Sequence, residues 1–154
     1  MELNNEFWRY SIRFYGEEGI QQICLELQDD YALDVNIVLY CHFLGSRKLG
    51  LSSGQMADLQ SLIVSWRKQV VSPLRMLRQY LKTDSEATAV HAKVKLAELA
   101  AEQYQQSMMW RYFVCNSSSI KTLESEWFVI LLEDVREADK SRCRELLLEL
   151  MITA

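Results

Sequence analysis

Apolar side chains recur every three or four residues along most of this chain, which is the period of an α-helix with one buried face. Asn4 or Asn5 is placed to cap a first helix that ends at Gly16. A second helix begins around residues 17–19, where acidic side chains favour a helix N-terminus. Asp34 can cap a short, very apolar third helix that ends at Gly45.

A capping-box pattern, Ser52-x-x-Gln55, opens the next segment, and apolar residues then keep near-heptad spacing up to Thr83. Pro73 lies inside this run and predicts a kink or break, because proline lacks a backbone donor and disfavours helical geometry in the preceding residue. A second capping box, Thr83-x-x-Glu86, predicts the start of another long helix.

The polar run at residues 116–119 is the best linker candidate, so the sequence predicts a helical core domain over 1–115 and a C-terminal helical extension over 116–154. Residues 127–132 could form a buried strand by propensity. A lone strand would lack partners for its backbone, so this segment is predicted as helix. The expected fold is an all-α, single-domain bundle of six to eight helices.

Composition supports a folded helical domain, with 49% hydrophobic and 25% charged residues, five glycines and one proline. The acidic start lacks the basic and apolar regions of a secretion signal, and the apolar runs are too short to span a membrane. The four cysteines show no C-x-x-C spacing and are interpreted as reduced thiols. These features predict a cytoplasmic protein with no membrane association.

Charge is arranged in two blocks. Residues 14–46 contain six acids and no Lys or Arg, whereas residues 47–83 contain seven basic residues and one acid. The blocks are expected to meet in the fold, with Asp29 or Asp34 bonded to Arg75 or Arg78. If the two blocks meet, their polar side chains could surround an apolar ligand pocket. We call these residues the polar cluster: Gln28, Asp29, Asp34, Asn36, Arg75 and Arg78.

Candidate chemistry is weak. The D-D-x-x-x-D pattern that ends at Asp34 differs from the D-D-x-x-D of magnesium diphosphate sites, and acids at a turn are usually solvated or paired. Cys24 and His42 could meet as a nucleophile pair, but no third group to orient them is evident. A basic stripe formed by Lys68, Arg75, Arg78 and Lys82 could contact phosphates, although the chain is acidic overall, with a pI near 5.3. We therefore predict no catalytic residues, metal, cofactor or nucleic-acid partner.

A longer set of residues resembles a known family. These residues are Phe7-Trp8, Tyr15, Gly19, Cys24-Leu-x-Leu-Gln-Asp29, Asp34-Val-Asn36, Leu39, Cys41, Leu44-Gly45, Trp66, Val70-Val71, Pro73-Leu-Arg75, Leu77-Arg78 and Lys95-x-x-Glu98-Leu-x-Ala-Glu102. Together they are similar to a family of small proteobacterial proteins classed as a domain of unknown function, over roughly residues 6–108. The chain departs from the pattern at Phe43, where the family often has Trp, and at residues 31–33, where a glycine usually precedes D-V-N. The resemblance implies no activity, cofactor or site residue.

Two functions remain open from the sequence. The first is an adaptor that binds another protein or a second copy of itself through an apolar C-terminal surface, whose residues would be Trp127, Leu146, Leu147, Leu150 and Met151. The second is a small enzyme or carrier that binds a ligand in the pocket surrounded by the polar cluster. We expect the first, because the C-terminal end has more large apolar side chains than a short helical tail ordinarily buries.

Overall fold

In the computed structural model, residues 1–152 are described, with side chains described up to Leu150. This part of the chain contains seven α-helices, which confirms the all-α fold of six to eight helices. Their bounds are α1 Glu6–Tyr15, α2 Ile20–Tyr31, α3 Val35–Gly45, α4 Ser53–Trp66, α5 Ser72–Leu81, α6 Thr88–Asn116 and α7 Glu137–Ile152. No helix among the described residues is long and apolar enough to cross a membrane.

The N-terminal caps of α1, α3 and α4 are those predicted from the sequence. Asn5 accepts a hydrogen bond from the backbone N–H of Trp8, and Asp34 accepts one from the N–H of Asn36. Ser52 and Gln55 form the reciprocal capping box at the start of α4. These bonds satisfy backbone donors that a helix N-terminus leaves free, which confirms the predicted starts of α1, α3 and α4.

The segment around Pro73 changes its helical type without breaking the helix. Residues Arg67–Val71 form one π-helical turn between α4 and α5, and Pro73 lies in the first turn of α5. A wider turn ahead of proline relieves the clash of its ring with the preceding turn, so the chain continues. The predicted division into two α-helices, α4 and α5, is present, but a π-helical turn joins them and the perturbation precedes the proline.

The second predicted capping box is wrong. The helix α6 begins at Thr88 without a side-chain cap, whereas the Thr83 hydroxyl donates to the carbonyl of Tyr80 and the Asp84 carboxylate accepts from the N–H of Glu86. Both side chains thus form local turns, which compete with a helix start. Residues 72–100, which comprise α5 and the first part of α6, form a helical hairpin that we call the arm.

The C-terminal segment is less regular than predicted. Within residues 120–135 the structure has a two-residue strand β2, Lys121–Thr122, and one 3₁₀ turn, Val129–Leu132. The strand pairs antiparallel with β1, Leu49–Gly50. A side chain at Gly45 would place its Cβ 2.5 Å from the Cβ of Trp127, so only glycine permits this close packing. The predicted helix through Trp127 is therefore wrong. Strand pairing with β1 and the packing of Trp127 against Gly45 hold this segment in place instead.

One core unites both predicted domains. Buried residues of α1, α2, α3 and α4 share a single hydrophobic cluster with Trp127, Phe128, Leu146, Leu147 and Leu150. The apolar C-terminal surface expected from the sequence is thus corrected: these four candidate residues, Trp127, Leu146, Leu147 and Leu150, lie in the core, while the side chain of Met151 lies outside the described residues. Extra apolar side chains are accommodated because α7 is covered by α2 on one side and by the 3₁₀ turn on another.

Candidate functional site: a cleft beside the arm

A cleft of about 550 Å³ opens between the arm and the body of the bundle. Its body wall is formed by α1, α2 and α3, and its other wall by α5 and α6. Four residues of the predicted polar cluster line it, namely Gln28, Asn36, Arg75 and Arg78. The two charged ones lie on the arm and the two amides on the body, so the fold brings together residues that are far apart in sequence.

The wall formed by α5 and α6 carries a compact group of ion pairs. The Arg78 guanidinium contacts the Glu98 carboxylate, while Arg75 lies 3.5 Å from Glu98 and 3.1 Å from Glu102. The hydrogen bond to Glu98 raises the pKa of Arg78. Burial raises the pKa of Glu102, and the adjacent Arg75 opposes that rise. Two cations and two anions therefore neutralise one another and fasten α5 to α6.

The predicted pairing of Asp29 or Asp34 with these arginines is wrong. Asp34 accepts from Arg67 at 3.1 Å and from Gln105 at 3.3 Å, whereas the partner of Asp29 is the Gln28 amide at 3.5 Å. The acidic block does meet a basic residue of the expected segment, but one turn before α5. Glu98 and Glu102 are nearer to the arginines because α5 and α6 are hairpin neighbours. Neither aspartate lines the cleft.

The end of the cleft near α3 is polar and buried. The Gln106 side-chain amide nitrogen donates to Oδ1 of Asn36 at 2.8 Å. Gln106 Oε1 and the Ser11 hydroxyl are buried, and neither has a hydrogen-bond partner among the described residues. Unpaired buried polar groups are costly, so this end holds unused hydrogen-bonding capacity. Beside it, burial raises the pKa of Tyr15 to about 12, which keeps its hydroxyl protonated at neutral pH.

Apolar side chains line the lips of the cleft and are exposed to solvent. The exposed fractions are 50% for Ile12 and 36% for Leu25 on the body, and 68% for Leu96 and 46% for Leu99 on the arm. Exposed leucines scattered singly are ordinary, but here four large apolar side chains border one concavity.

The Cys24 and His42 pair considered from the sequence does not form. Both ring nitrogens of His42 have other partners: Nδ1 lies 2.6 Å from the Tyr10 hydroxyl, and Nε2 lies 3.3 Å from the Leu150 carbonyl oxygen. A carbonyl only accepts, so Nε2–H donates to it and Nδ1 accepts from tyrosine. Burial lowers the pKa of His42 to about 4 and raises that of Cys24 to about 12. Both groups are therefore neutral structural residues.

Sequence reasoning missed most of the residues along α6. The helical period predicts one apolar stripe along α6, formed by Val90, Val94, Ala97, Ala101, Tyr104 and Met108. Val90 and Tyr104 are exposed in the structure. Leu96 and Leu99 lie off that stripe, beside Lys95 and Glu98, and all four line the cleft. Two leucines outside the predicted apolar stripe were a signal that could have identified them.

The residues that form the cleft lie within a stretch that is similar to a known protein family. A family model described as "Protein of unknown function (DUF2390)" matches residues 6–109, which covers both walls of the cleft. No curated protein and no solved structure matches the chain significantly. The matched range ends inside α6 and leaves out the C-terminal segment that completes the core.

Proposed function

The chain belongs to the DUF2390 family, whose description names no activity, and we propose from the geometry of the cleft that it is a protein-interaction module, an adaptor that acts by binding another protein and not by catalysis. The surface that binds is the cleft beside the arm, in place of the C-terminal end expected from the sequence.

The observation that carries this proposal is the exposure of Ile12, Leu25, Leu96 and Leu99 around one concavity. Apolar surface left in water within a concave site is typical of places that a partner covers. The carboxylates of the site suit binding more than proton transfer, because Glu98 and Glu102 are already paired with arginines. All four cysteines are free, which supports a reducing compartment such as the cytosol.

A second candidate, a carrier of a small amphipathic ligand, is favoured by one specific observation. The Ser11 hydroxyl and Gln106 Oε1 are buried without partners beside a cleft whose volume of about 550 Å³ is within the range of small-molecule sites. The polar group of a ligand could bond there after a small side-chain rotation, with its apolar part along Leu39 and Leu99.

The two candidates separate in one experiment. The wild-type protein and the variant Leu96→Glu are compared by affinity capture and by native mass spectrometry of the purified protein. Because Leu96 is exposed, the substitution should leave the fold intact. We expect one or more proteins to be retained by the wild type and lost from Leu96→Glu.

The matched control is Met76→Glu, which changes an equally exposed apolar residue of the arm that does not line the cleft. It should retain the same proteins as the wild type. Retention that is identical for all three proteins would contradict the adaptor proposal. A bound small molecule that Leu96→Glu loses would establish the carrier instead.

A further inference from the structure

We infer that the occupant of the cleft is an acidic amphipathic helix of the partner protein, about four turns long, lying alongside α6. This inference rests on the proposed function and specifies the chemistry of the partner.

The walls of the cleft do not support the addition of a β-strand. Every residue that lines it belongs to a helix or, at Lys82, to a helix end. Backbone N–H and C=O groups within helices bond to one another, so the walls offer no strand edge to which an extended peptide could add. These walls therefore suit a partner that forms its own backbone hydrogen bonds, as a helix does, and that docks mainly through its side chains.

The length of the cleft sets the length of that helix. Along α6 the lining residues run from His91 to Gln106, which at 1.5 Å per residue is about 22 Å. A partner of about 15 residues, or four turns, spans this distance. Its apolar face meets Leu96 and Leu99 on one side and Ile12 and Leu25 on the other, so it needs apolar residues spaced three and four apart.

The charges at the cleft select an acidic helix. Four cations line it, Arg75, Arg78, Lys82 and Lys95, against two anions, Glu98 and Glu102, which leaves two positive charges in a chain whose net charge is −4. The arginines are neutralised by the glutamates, whereas Lys82 and Lys95 form no ion pair with any described residue.

The two free cations lie at the same end of the cleft. Because Arg75 pairs with Glu102 and Arg78 with Glu98, α5 and α6 run antiparallel, and Lys82 comes to lie near Lys95 and His91. The acids of the partner are therefore concentrated at the end that meets these residues. Such complementary charge increases the association rate and fixes the orientation of the partner.

A displayed library of random 16-residue peptides, selected on the full-length protein, tests the inference. We expect selected peptides with apolar residues at helical spacing and Asp or Glu clustered at one end. Their affinity, measured by fluorescence anisotropy, should fall about tenfold in Lys82→Glu/Lys95→Glu, since two reversed charges exceed the contribution of a single surface pair. Their affinity should also fall with rising salt. Lys93→Glu, an exposed position on α6 outside the cleft, is the matched control and should bind like the wild type.

The two proposals fail in different ways. If no peptide is selected, or if selected peptides bind equally well to Leu96→Glu, the adaptor function of the cleft is overturned. If peptides require Leu96 but are neutral or basic, or are unaffected by the double reversal, the cleft binds proteins and the acidic helix is overturned. Selected peptides rich in proline, which cannot form a regular helix, would overturn the helix in the same way.

Discussion

Protonation of His42 should destabilise the fold at mildly acidic pH. The ring is stacked on Phe14 with centroids 4.1 Å apart and is almost fully buried. Burial lowers its pKa from 6.5 in the unfolded chain to about 4 in the folded protein. Between these values the unfolded state binds a proton that the folded state does not, so stability is complete above pH 6.5 and decreases as the pH falls.

The size of the effect follows from that difference in pKa. One pKa unit corresponds to about 1.4 kcal/mol, so the free energy of unfolding should fall by about 2 kcal/mol at pH 5 and about 3 kcal/mol at pH 4 on account of this residue. For a domain stabilised by roughly 5 to 15 kcal/mol, this is a substantial fraction.

Urea unfolding followed by circular dichroism, at a series of pH values from 4 to 8, measures the effect. His42→Phe keeps the aromatic contact with Phe14 and cannot titrate. Its free energy of unfolding at pH 8 should be lower by roughly 1 to 2 kcal/mol, because hydrogen bonds are lost. It should lack the part of the decrease at low pH that comes from His42. Carboxylates titrate in both proteins, so their contribution cancels when the free energy of unfolding of His42→Phe is subtracted from that of the wild type at each pH.

His91→Asn, at the only other histidine of the chain, is the control and should preserve the wild-type pH dependence. A wild-type curve that runs parallel to that of His42→Phe from pH 8 to pH 4 would refute the reasoning, because it would show that His42 is equally basic in both states.

Three further predictions concern packing and charge. A double-mutant cycle of Glu98→Gln and Arg78→Gln should give a coupling free energy of unfolding of about 1 to 2 kcal/mol, because the two side chains form an ion pair. The cycle of Asp29→Asn and Arg78→Gln should give no coupling. Equal coupling free energies in the two cycles would contradict the observed ion pairs. Gly45→Ala should cost about 1 to 3 kcal/mol in urea unfolding, because its Cβ would meet Trp127, while Gly54→Ala, with only Ser52 nearby at 3.9 Å, should be neutral or slightly stabilising. Truncation after Asn116 should abolish cooperative unfolding, because it removes Phe128, Leu146 and Leu147 from the core; a truncated protein with a native-like NMR spectrum would show that the core is complete without them.

The sequence predicts those parts of the fold that local chemistry determines. Asn5, Asp34 and Ser52 act within two or three residues of their own position, so their caps could be read directly. The start of α6 could not be predicted in this way. Thr83 and Asp84 can each form several local hydrogen bonds, and the sequence does not show which of these bonds is the most stable. The irregular segment around Trp127 depends on contacts with Gly45 and β1, which are distant in sequence.

The cleft was only partly predictable for the same reason. The charge pattern correctly indicated that the arginines pair with acidic residues. It does not contain the antiparallel arrangement of α5 and α6, and this arrangement places Glu98 and Glu102 next to the arginines. Asp29 and Asp34 therefore do not pair with them. The apolar C-terminal residues were recognised as needing cover. The sequence did not show whether residues of this chain or of a partner bury them. In the structure α2 packs against α7, so residues of this chain bury them.

The π-helical turn at Arg67–Val71 changes the direction in which the side chains of the following helix, α5, point. An uninterrupted α-helix would align Lys68 with Arg75, Arg78 and Lys82 on one side, whereas the turn inserts one extra residue and rotates the following helix by about 100°. Lys68 accordingly does not line the cleft, although the other three do. A single-residue deletion within this turn would restore the regular period and point the arginines away from Glu98. The number of residues in one turn, which does not itself line the cleft, thus sets which face α5 turns towards the cleft.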